Sequence, residues 1–419
     1  MPAHETYDVI VMGGGPAGAT AAALVAEQGR RVLVVERLSA GDFKIGESLM
    51  PSTYWTLDRL GALDRMRATD FPRKHSVQFY SKSGKASRPF YFFEANDHES
   101  AVTWQVLRHE FDALLLTIAA EKGAEVLRGA SVRDVLFDGD RATGVVVEEG
   151  GASHRLRSRV VVDATGQRAL LARKLGLLET DPHLRHAAIF THFEGGHRDQ
   201  GIDEGATLVL HTEDAKAWFW YIPMPRDRVS VGVVGDVEHL ISSRADLPHV
   251  TFWDEVRRCP AVRERLQGAR QVREVSVLRD FSYRASRLAG PGWVLVGDAF
   301  SFIDPVYSSG VLLALKSGEM AADAIVDGLV SGDLGGEQLG RFGPELVAGM
   351  ASVRSLVHAF YAQDFSFAKF LARYPEHQQD VIDILTGNIF DRDFDLLFEH
   401  MGEVCDLPAL PPQAREATV

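Results

Sequence analysis

The pattern Gly13-x-Gly15-x-x-Gly18 constrains this chain most, because of where it stands. The apolar run Tyr7 to Met12 leads into it, and an alanine-rich segment, Ala17 to Gln28, follows with Gly29 as a stop. A buried strand running into glycines and then a helix is the opening of a parallel βαβ unit. Arg31 to Val35 reads as the second buried strand, closed by Glu36. The first glycine permits a tight turn, the second lets backbone approach a pyrophosphate, and the third lets helix and strand pack closely. The helix N-terminus adds positive potential, and Glu36 is placed to accept from ribose hydroxyls. The bland alternative is a glycine-rich turn with no ligand, and the complete strand–turn–helix context argues against it. The uncharged stretch between Asp8 and Glu27 is broken by Gly13-Gly14-Gly15-Pro16, so it is not read as a membrane span.

Composition narrows the function classes. The 419 residues carry 45 Lys and Arg against 58 Asp and Glu, a net charge of -13. That balance argues against nucleic acid or an anionic membrane as the main partner. Two cysteines, Cys259 and Cys405, exclude a disulfide scaffold and a Cys-rich zinc site and fit a reducing cytosol. Met1 to Thr6 has neither a basic stretch nor a cleavage site, so a cytoplasmic protein is expected. The 15 histidines show no metal spacing; His183 and His186 lack an acidic third ligand, and no metal is expected. No Gly-x-Ser-x-Gly elbow occurs, which removes a serine hydrolase.

Further along, Pro51 to Arg67 has helical spacing with Trp55, Leu57, Leu60, Leu63 and Met66 inward. Val77 to Tyr80 and Pro89 to Phe93 read as strands, and Arg108 to Glu121 as an amphipathic helix. Val132 to Phe137, Ala142 to Glu148 and His154 to Ser158 form a meander, followed by a separate buried strand, Val160 to Asp163. From His186 to Val234 alternating strands predict an antiparallel sheet. Two short helices follow, near Val250 to Arg258 and Ala261 to Gln267. Trp293 to Val296 returns to the first sheet, Val311 to Val326 is helical, and the rest from Glu337 is mostly helical with a loose last ten residues.

Asp163-Ala164-Thr165-Gly166 and Gly297-Asp298 each follow a strand, and Arg108 stands at a helix start before Phe111-Asp112. In this order the segments resemble the flavoproteins built on the hydroxybenzoate hydroxylase fold, which implies FAD. Gly46-Glu47-Ser48, Trp218-Phe219-Trp220-Tyr221-Ile222-Pro223 and Phe302-Ile303-Asp304-Pro305-Val306-Tyr307-Ser308-Ser309-Gly310 take the resemblance further. From about Tyr7 to about Phe394 the chain resembles the flavin-dependent halogenases of phenols and pyrroles, including those acting on carrier-bound substrates. The implied fold is mixed α/β (α+β). A Rossmann-like FAD-binding domain takes 1–75, 100–178 and 275–332, an antiparallel-sheet substrate domain takes 76–99 and 179–274, and a helical region takes 333–419.

The resemblance also implies residue roles. FAD would be held at Gly13, Gly15, Ala17, Gly18, Glu36, Arg37, Ser48, Arg108, Val132, Asp298, Pro305, Gly310 and Val311. Chloride or bromide would sit on Ser308, Ser309 and Gly310, at a helix start with consecutive backbone donors; the plain alternative there is a helix capped by Ser308 or Ser309. Lys74 matches the lysine that captures or polarises the hypohalous acid made from O2 and halide. Ser76 stands where a glycine often follows that lysine, and Arg73 or Lys82 are the alternative bearers. Trp218 and Trp220, two apart on one strand face, match a wall between flavin and substrate; simple core packing is the alternative. Tyr307 stands where the tryptophan enzymes carry a glutamate, which favours substrates already activated as phenols or pyrroles. With no second Gly-x-Gly-x-x-Gly for a nicotinamide, the reduced flavin is expected from a partner reductase. A carrier protein, itself acidic, would need a basic patch such as Arg257-Arg258 or Arg263 to Arg273; a solvated helical face is the alternative. A monooxygenase or an isoprenoid-type reductase on the same fold, and a flavin-binding protein without catalysis, are the competing readings.

Overall fold

The computed structural model describes residues 6–39, 44–94, 96–242, 247–362, 365–390 and 392–408. Phe43, most of the leading segment and the last ten residues lie outside the described residues.

The first sheet holds five parallel strands in the order Trp293–Leu295, Ala152–Asp163, Thr6–Met12, Val32–Glu36, Glu125–Arg128. A short antiparallel strand, Ala289–Gly290, adds to its edge. Val9 pairs with both Val32 and Val160, so the centre of the sheet is continuous apolar chain buried on both faces. The helix Pro16–Glu27 covers it, packed against the helices Arg108–Glu121 and Gly310–Ser331.

The meander differs from expectation in one respect. His154 to Ser158 and Val160 to Asp163 are one strand of 12 residues, Ala152–Asp163. Its first half runs antiparallel to Arg141–Glu149 and its second half parallel to Thr6–Met12. Burial alternates through Arg159 and is continuous from Val160, which mimics a break. Arg159 does not interrupt the strand because its guanidinium reaches out to Asp8 at 3.3 Å.

The expected single helix over Pro51 to Arg67 is two, Thr53–Arg59 and Leu63–Arg67, separated at Gly61 with φ +71°. Leu57, Leu60, Leu63 and Met66 are buried as expected, but Trp55 is 55% exposed. Thr53, Tyr54, Thr56 and Leu57 form the buried stripe of that short helix, which turns Trp55 outward onto the ring of His98 at 5.2 Å.

The second sheet is ordered Arg270–Gln271, His186–Glu194, Arg228–Asp236, Ala217–Met224, Thr207–His211, Ser76–Tyr80, Phe90–Tyr91. It is antiparallel except at one join: Thr207–His211 runs parallel to Ser76–Tyr80, with Thr207 opposite Val77. Ser276–Arg279, on the first-unit side of the expected boundary at 275, pairs with His186–Glu194 in this sheet. Period-2 alternation sorts the side chains. Ile189, Leu208, Leu210, Phe219, Tyr221, Val231 and Val233 pack with Phe252, Val256 and Val262 of the helices Pro248–Arg257 and Pro260–Arg265. Ala188, Phe190, Val209, Trp218, Trp220 and Ile222 face the first sheet and share its core. The C-terminal helices Gly343–Tyr361, Phe367–Arg373, Gln378–Thr386 and Asp395–Gly402 complete the described chain. No helix among the described residues is long and apolar enough to cross a membrane.

Candidate active site

Between the two sheets lies a cavity of about 480 Å³, within the range of small-molecule sites. One end is made of backbone. Gly13 has φ +105°, a conformation that excludes ordinary side chains, and a Cβ there would meet the carbonyl of Ala164 at 2.4 Å. A Cβ on Gly18 would come within 2.0 Å of the Gly13 carbonyl, so this glycine is what lets the helix approach the strand. At Gly15 a Cβ would meet nothing closer than an Asp112 oxygen at 3.9 Å. The space over Gly15 is cavity, and a side chain would fill it. Glu36 accepts from the amides of Gly14 (2.7 Å) and Leu38 (2.8 Å), which fixes its carboxylate at the mouth of this cradle. The cradle fits the pyrophosphate and ribose of a dinucleotide.

Gly13, Gly15, Ala17, Glu36, Arg37, Ser48, Arg108, Val132, Asp298, Pro305, Gly310 and Val311 all line the cavity. Gly18 does not; it acts by packing. Arg108 is held by a bidentate pair with Asp112 (2.9 and 3.2 Å) and by the Ile45 carbonyl at 2.5 Å. Burial raises the Asp298 carboxyl to about 6 against the opposing pull of Arg108 and Lys44.

At the opposite end the loop Pro305–Ser309 enters the 22-residue helix Gly310–Ser331. Ser308 holds φ +60°, a left-handed conformation uncommon for serine, and its amide donates to the Pro305 carbonyl at 3.1 Å. Ser309 is the N-cap residue, yet its side chain makes no capping hydrogen bond. The first backbone bond of the helix is Leu313 to the Ser309 carbonyl, so the amides of Gly310, Val311 and Leu312 have no backbone partner among the described residues. Ser308 and Gly310 line the cavity and Ser309 lies behind them. Tyr307 turns away from the cavity: its phenol donates to the Leu356 carbonyl at 3.2 Å, and burial raises its pKa well above 10.

Trp218 and Trp220 both line the cavity beside Phe190. Trp220 donates to Ser230 (3.1 Å) and lies opposite Gly232, where a Cβ would sit 2.2 Å from the indole. Trp218 donates to the Tyr361 hydroxyl at 3.0 Å, and that hydroxyl lies 3.1 and 3.3 Å from the Asp304 carboxylate. The wall therefore reaches into the last turn of the helix Gly343–Tyr361.

Lys74 lies in a two-residue strand against Thr103 and is 4% exposed. Its ammonium donates to Ser48 Oγ and to the Leu49 carbonyl, both at 2.9 Å, over the ring of Phe92. Burial with no charged partner lowers its pKa from 10.5 to about 7. It is not among the residues lining the cavity; Ser48 and Thr207 stand there instead. The alternative bearers are placed elsewhere. Lys82 is exposed on a turn, and Arg73 packs on Trp104 and donates to the Arg67 carbonyl.

Four partners escape a reading of the sequence. Glu47 accepts from or donates to buried His192 at 2.8 Å, Thr207 joins Ser48 by a hydrogen bond, and Gln105 donates to Thr207. His192 follows Phe190 in the two-residue alternation, which is the one local sign that it faces inward. The described residues also hold a Glu376, His377, His400 group whose ligand atoms lie within 4.8 Å of one another, where no metal was expected. His377 and His400 satisfy each other there at 2.8 Å, with Asp380 on the other nitrogen of His377.

Comparison with known proteins agrees with this geometry. The family model for the FAD binding domain matches residues 6–322. The 1H-pyrrole-2-carbonyl peptidyl-carrier-protein chlorinase of Pseudomonas fluorescens is 30% identical over 93% of this chain and 91% of its own. The corresponding brominase of Pseudoalteromonas luteoviolacea is 31% identical over 93% and 94%. The solved structure of the flavin-dependent brominase Bmp2 superposes with a TM-score of 0.86 at 30% identity, over 95% of this chain and 98% of that one. The chain uses FAD and a halide and belongs to the flavin-dependent halogenases.

Proposed function

We propose that this enzyme halogenates an electron-rich aromatic ring of the pyrrole or phenol class, carried on a peptidyl carrier protein, and that Lys74 governs the oxidant. Bound in its reduced form, FAD would supply two electrons and two protons, with which O2, halide and one further proton become hypohalous acid and water. The remaining work falls to the chain. The glycine cradle and Glu36 hold the nucleotide end. Ser309 and Gly310 hold the halide on backbone amides at the positive end of the helix Gly310–Ser331. Trp218, Trp220 and Phe190 close the cavity with apolar surface that keeps the oxidant from water. Lys74 then receives it. The single observation that carries this reading is the isolated ammonium of Lys74, buried beside the cavity with no carboxylate among the described residues to neutralise it. A titration near neutrality lets one amine both donate to hypohalous acid and take a proton back. The carrier-bound pyrrole is supported by the two relatives, which act on that class.

The test supplies FAD, a flavin reductase, NADH, bromide and air together with pyrrolyl-loaded carrier protein and a panel of free phenols and pyrroles. Mass spectrometry should find the bromine isotope doublet on the loaded carrier. Lys74→Ala should lower product at least about 10²-fold. A doublet on free substrates alone overturns the carrier assignment, an unchanged yield in Lys74→Ala overturns the role of the lysine, and hydroxylated product without bromine overturns halogenation of this class.

A further inference from the structure

We infer that Ser48 and Thr207 form a hydroxyl relay through which Lys74 acts on the cavity, so that both are positioning residues for halogen transfer. This rests on the reading of Lys74 given above.

The argument is a count of donors and acceptors. Gln105 fixes the polarity. Its Nε2 lies 2.8 Å from the Gly205 carbonyl and 2.8 Å from Thr207 Oγ1. A carbonyl only accepts, so the atom facing it is the nitrogen, and Thr207 Oγ1 must therefore accept from Gln105. At the other end Lys74 donates to Ser48 Oγ at 2.9 Å. Between them Ser48 Oγ and Thr207 Oγ1 are 2.8 Å apart, and one hydroxyl donates to the other. Two hydroxyl hydrogens are available and that bond uses one. Whichever way it points, one hydrogen is left over. Both hydroxyl residues line the cavity, whereas Lys74 does not. The chain Lys74–Ser48–Thr207–Gln105 thus ends in a single donor at the cavity wall.

That donor has a use in the proposed reaction. As the ring carbon takes the halogen, the halogen–oxygen bond breaks and the oxygen leaves with the electron pair. It takes the relay proton and departs as water. Lys74 reprotonates the relay through Ser48, and the ring proton released on rearomatisation restores the charge on Lys74. Hypohalous acid and Ar–H give Ar–X and water, with no further reactant. The groups facing Lys74 from the packed elements, Ser48, Phe92 and Thr103, are uncharged. Arg73, next to Lys74, packs on Trp104, and Glu47, next to Ser48, pairs with His192; burial and then Arg73 lower the pKa of His75, the other neighbour of Lys74.

The experiment compares Ser48→Ala, Ser48→Thr, Thr207→Val, Thr207→Ser and Lys74→Ala in the assay above, scored as brominated product per O2 consumed. FAD affinity is measured for each. Per bound FAD, the yields of Ser48→Ala and Thr207→Val should fall about 10²-fold, and a carbon-acid trap should collect the hypobromous acid that escapes. Ser48→Thr and Thr207→Ser, which keep the hydroxyl, should recover most of the yield. Ser48→Ala should also move the pH midpoint of product yield downward from near 7, because the ammonium loses an acceptor. Wild-type yield in Ser48→Ala and Thr207→Val, beside loss in Lys74→Ala, overturns the relay and leaves the lysine acting directly. Wild-type yield in all three overturns the reading of Lys74 itself. Loss of bound FAD in Ser48→Ala together with wild-type yield in Thr207→Val also overturns the relay, since Ser48 then serves the cofactor.

Discussion

Two regions around the cavity are built from different materials. The nucleotide end is backbone: four glycines within six residues, the first turn of the helix Pro16–Glu27, and one carboxylate held by two amides. The wall at Ser48 and Thr207 is side chain, backed by Lys74 and Gln105; the four are drawn from four separate segments and buried together. Backbone groups are present at every position, so a local pattern of small residues is enough to aim them. Side-chain groups of this kind meet only if separate segments are brought into register. At Gly13 and Gly18 the first region tolerates no added atom, and the second holds a charge that its surroundings disfavour.

Substitutions that attack each region should therefore fail in different ways. The largest effect is expected for Gly18→Val. Its Cβ would sit 2.0 Å from a backbone oxygen, which no rotamer change relieves. A loss of about 3 kcal/mol or more and of co-purifying FAD should appear together in thermal unfolding and flavin titration. Retained FAD would break the claim that this end is a rigid backbone cradle.

Lys74→Met should do the opposite and stabilise. The lysine titrates at about 7 in the folded chain and at 10.5 when free. Between those values the unfolded chain binds more protons, so stability rises with pH through this window and the cost of burial is greatest below about pH 7. Removing the amine should gain about 2–4 kcal/mol at pH 7, seen as a higher melting temperature, with the gain shrinking toward pH 10 and halogenation lost. A substitution that stabilises while abolishing activity marks a strained functional site.

Gly232→Ala probes the wall. Its Cβ would lie 2.2 Å from the Trp220 ring, and displacing the indole should cost about 1–3 kcal/mol. Product per O2 should fall as the oxidant escapes to water; an unchanged ratio would show that Trp220 only fills space. The smallest effect is expected at the surface. Arg226 bridges Asp70 and Glu110 with half its side chain exposed. Arg226→Ala should change stability by no more than about 1 kcal/mol, and less at high salt. A larger loss would mean that surface pairing, not the shared apolar core, holds the two sheets together.

The same contrast explains what was legible. The glycine fingerprint, the helix start at Gly310 and the pair Trp218 and Trp220 are local patterns, and all were recognised from residue order. The break expected inside Ala152–Asp163 shows how a local reading errs. A charged residue at Arg159 resembles an end until its partner Asp8 is known. Trp55 shows the same for a short helix, whose inward face is decided by which neighbour it meets.

Resemblance to the family pointed to the segment before Gly310 and to Lys74, whereas the sequence by itself determined the βαβ opening and the dinucleotide cradle. These depend on residues close in the chain, where backbone geometry and two- or 3.6-residue periods act directly. Only the tertiary structure decided what surrounds that lysine. Ser48 and Thr207 are 159 positions apart, and Gln105 and Thr207 are 102 apart. They meet because Thr207–His211 joins the sheet in parallel beside Ser76–Tyr80, the strand that follows Lys74. No local pattern specifies such a join. It is set by which apolar faces pack together, and the polar groups carried on those strands must then find one another in the space that remains.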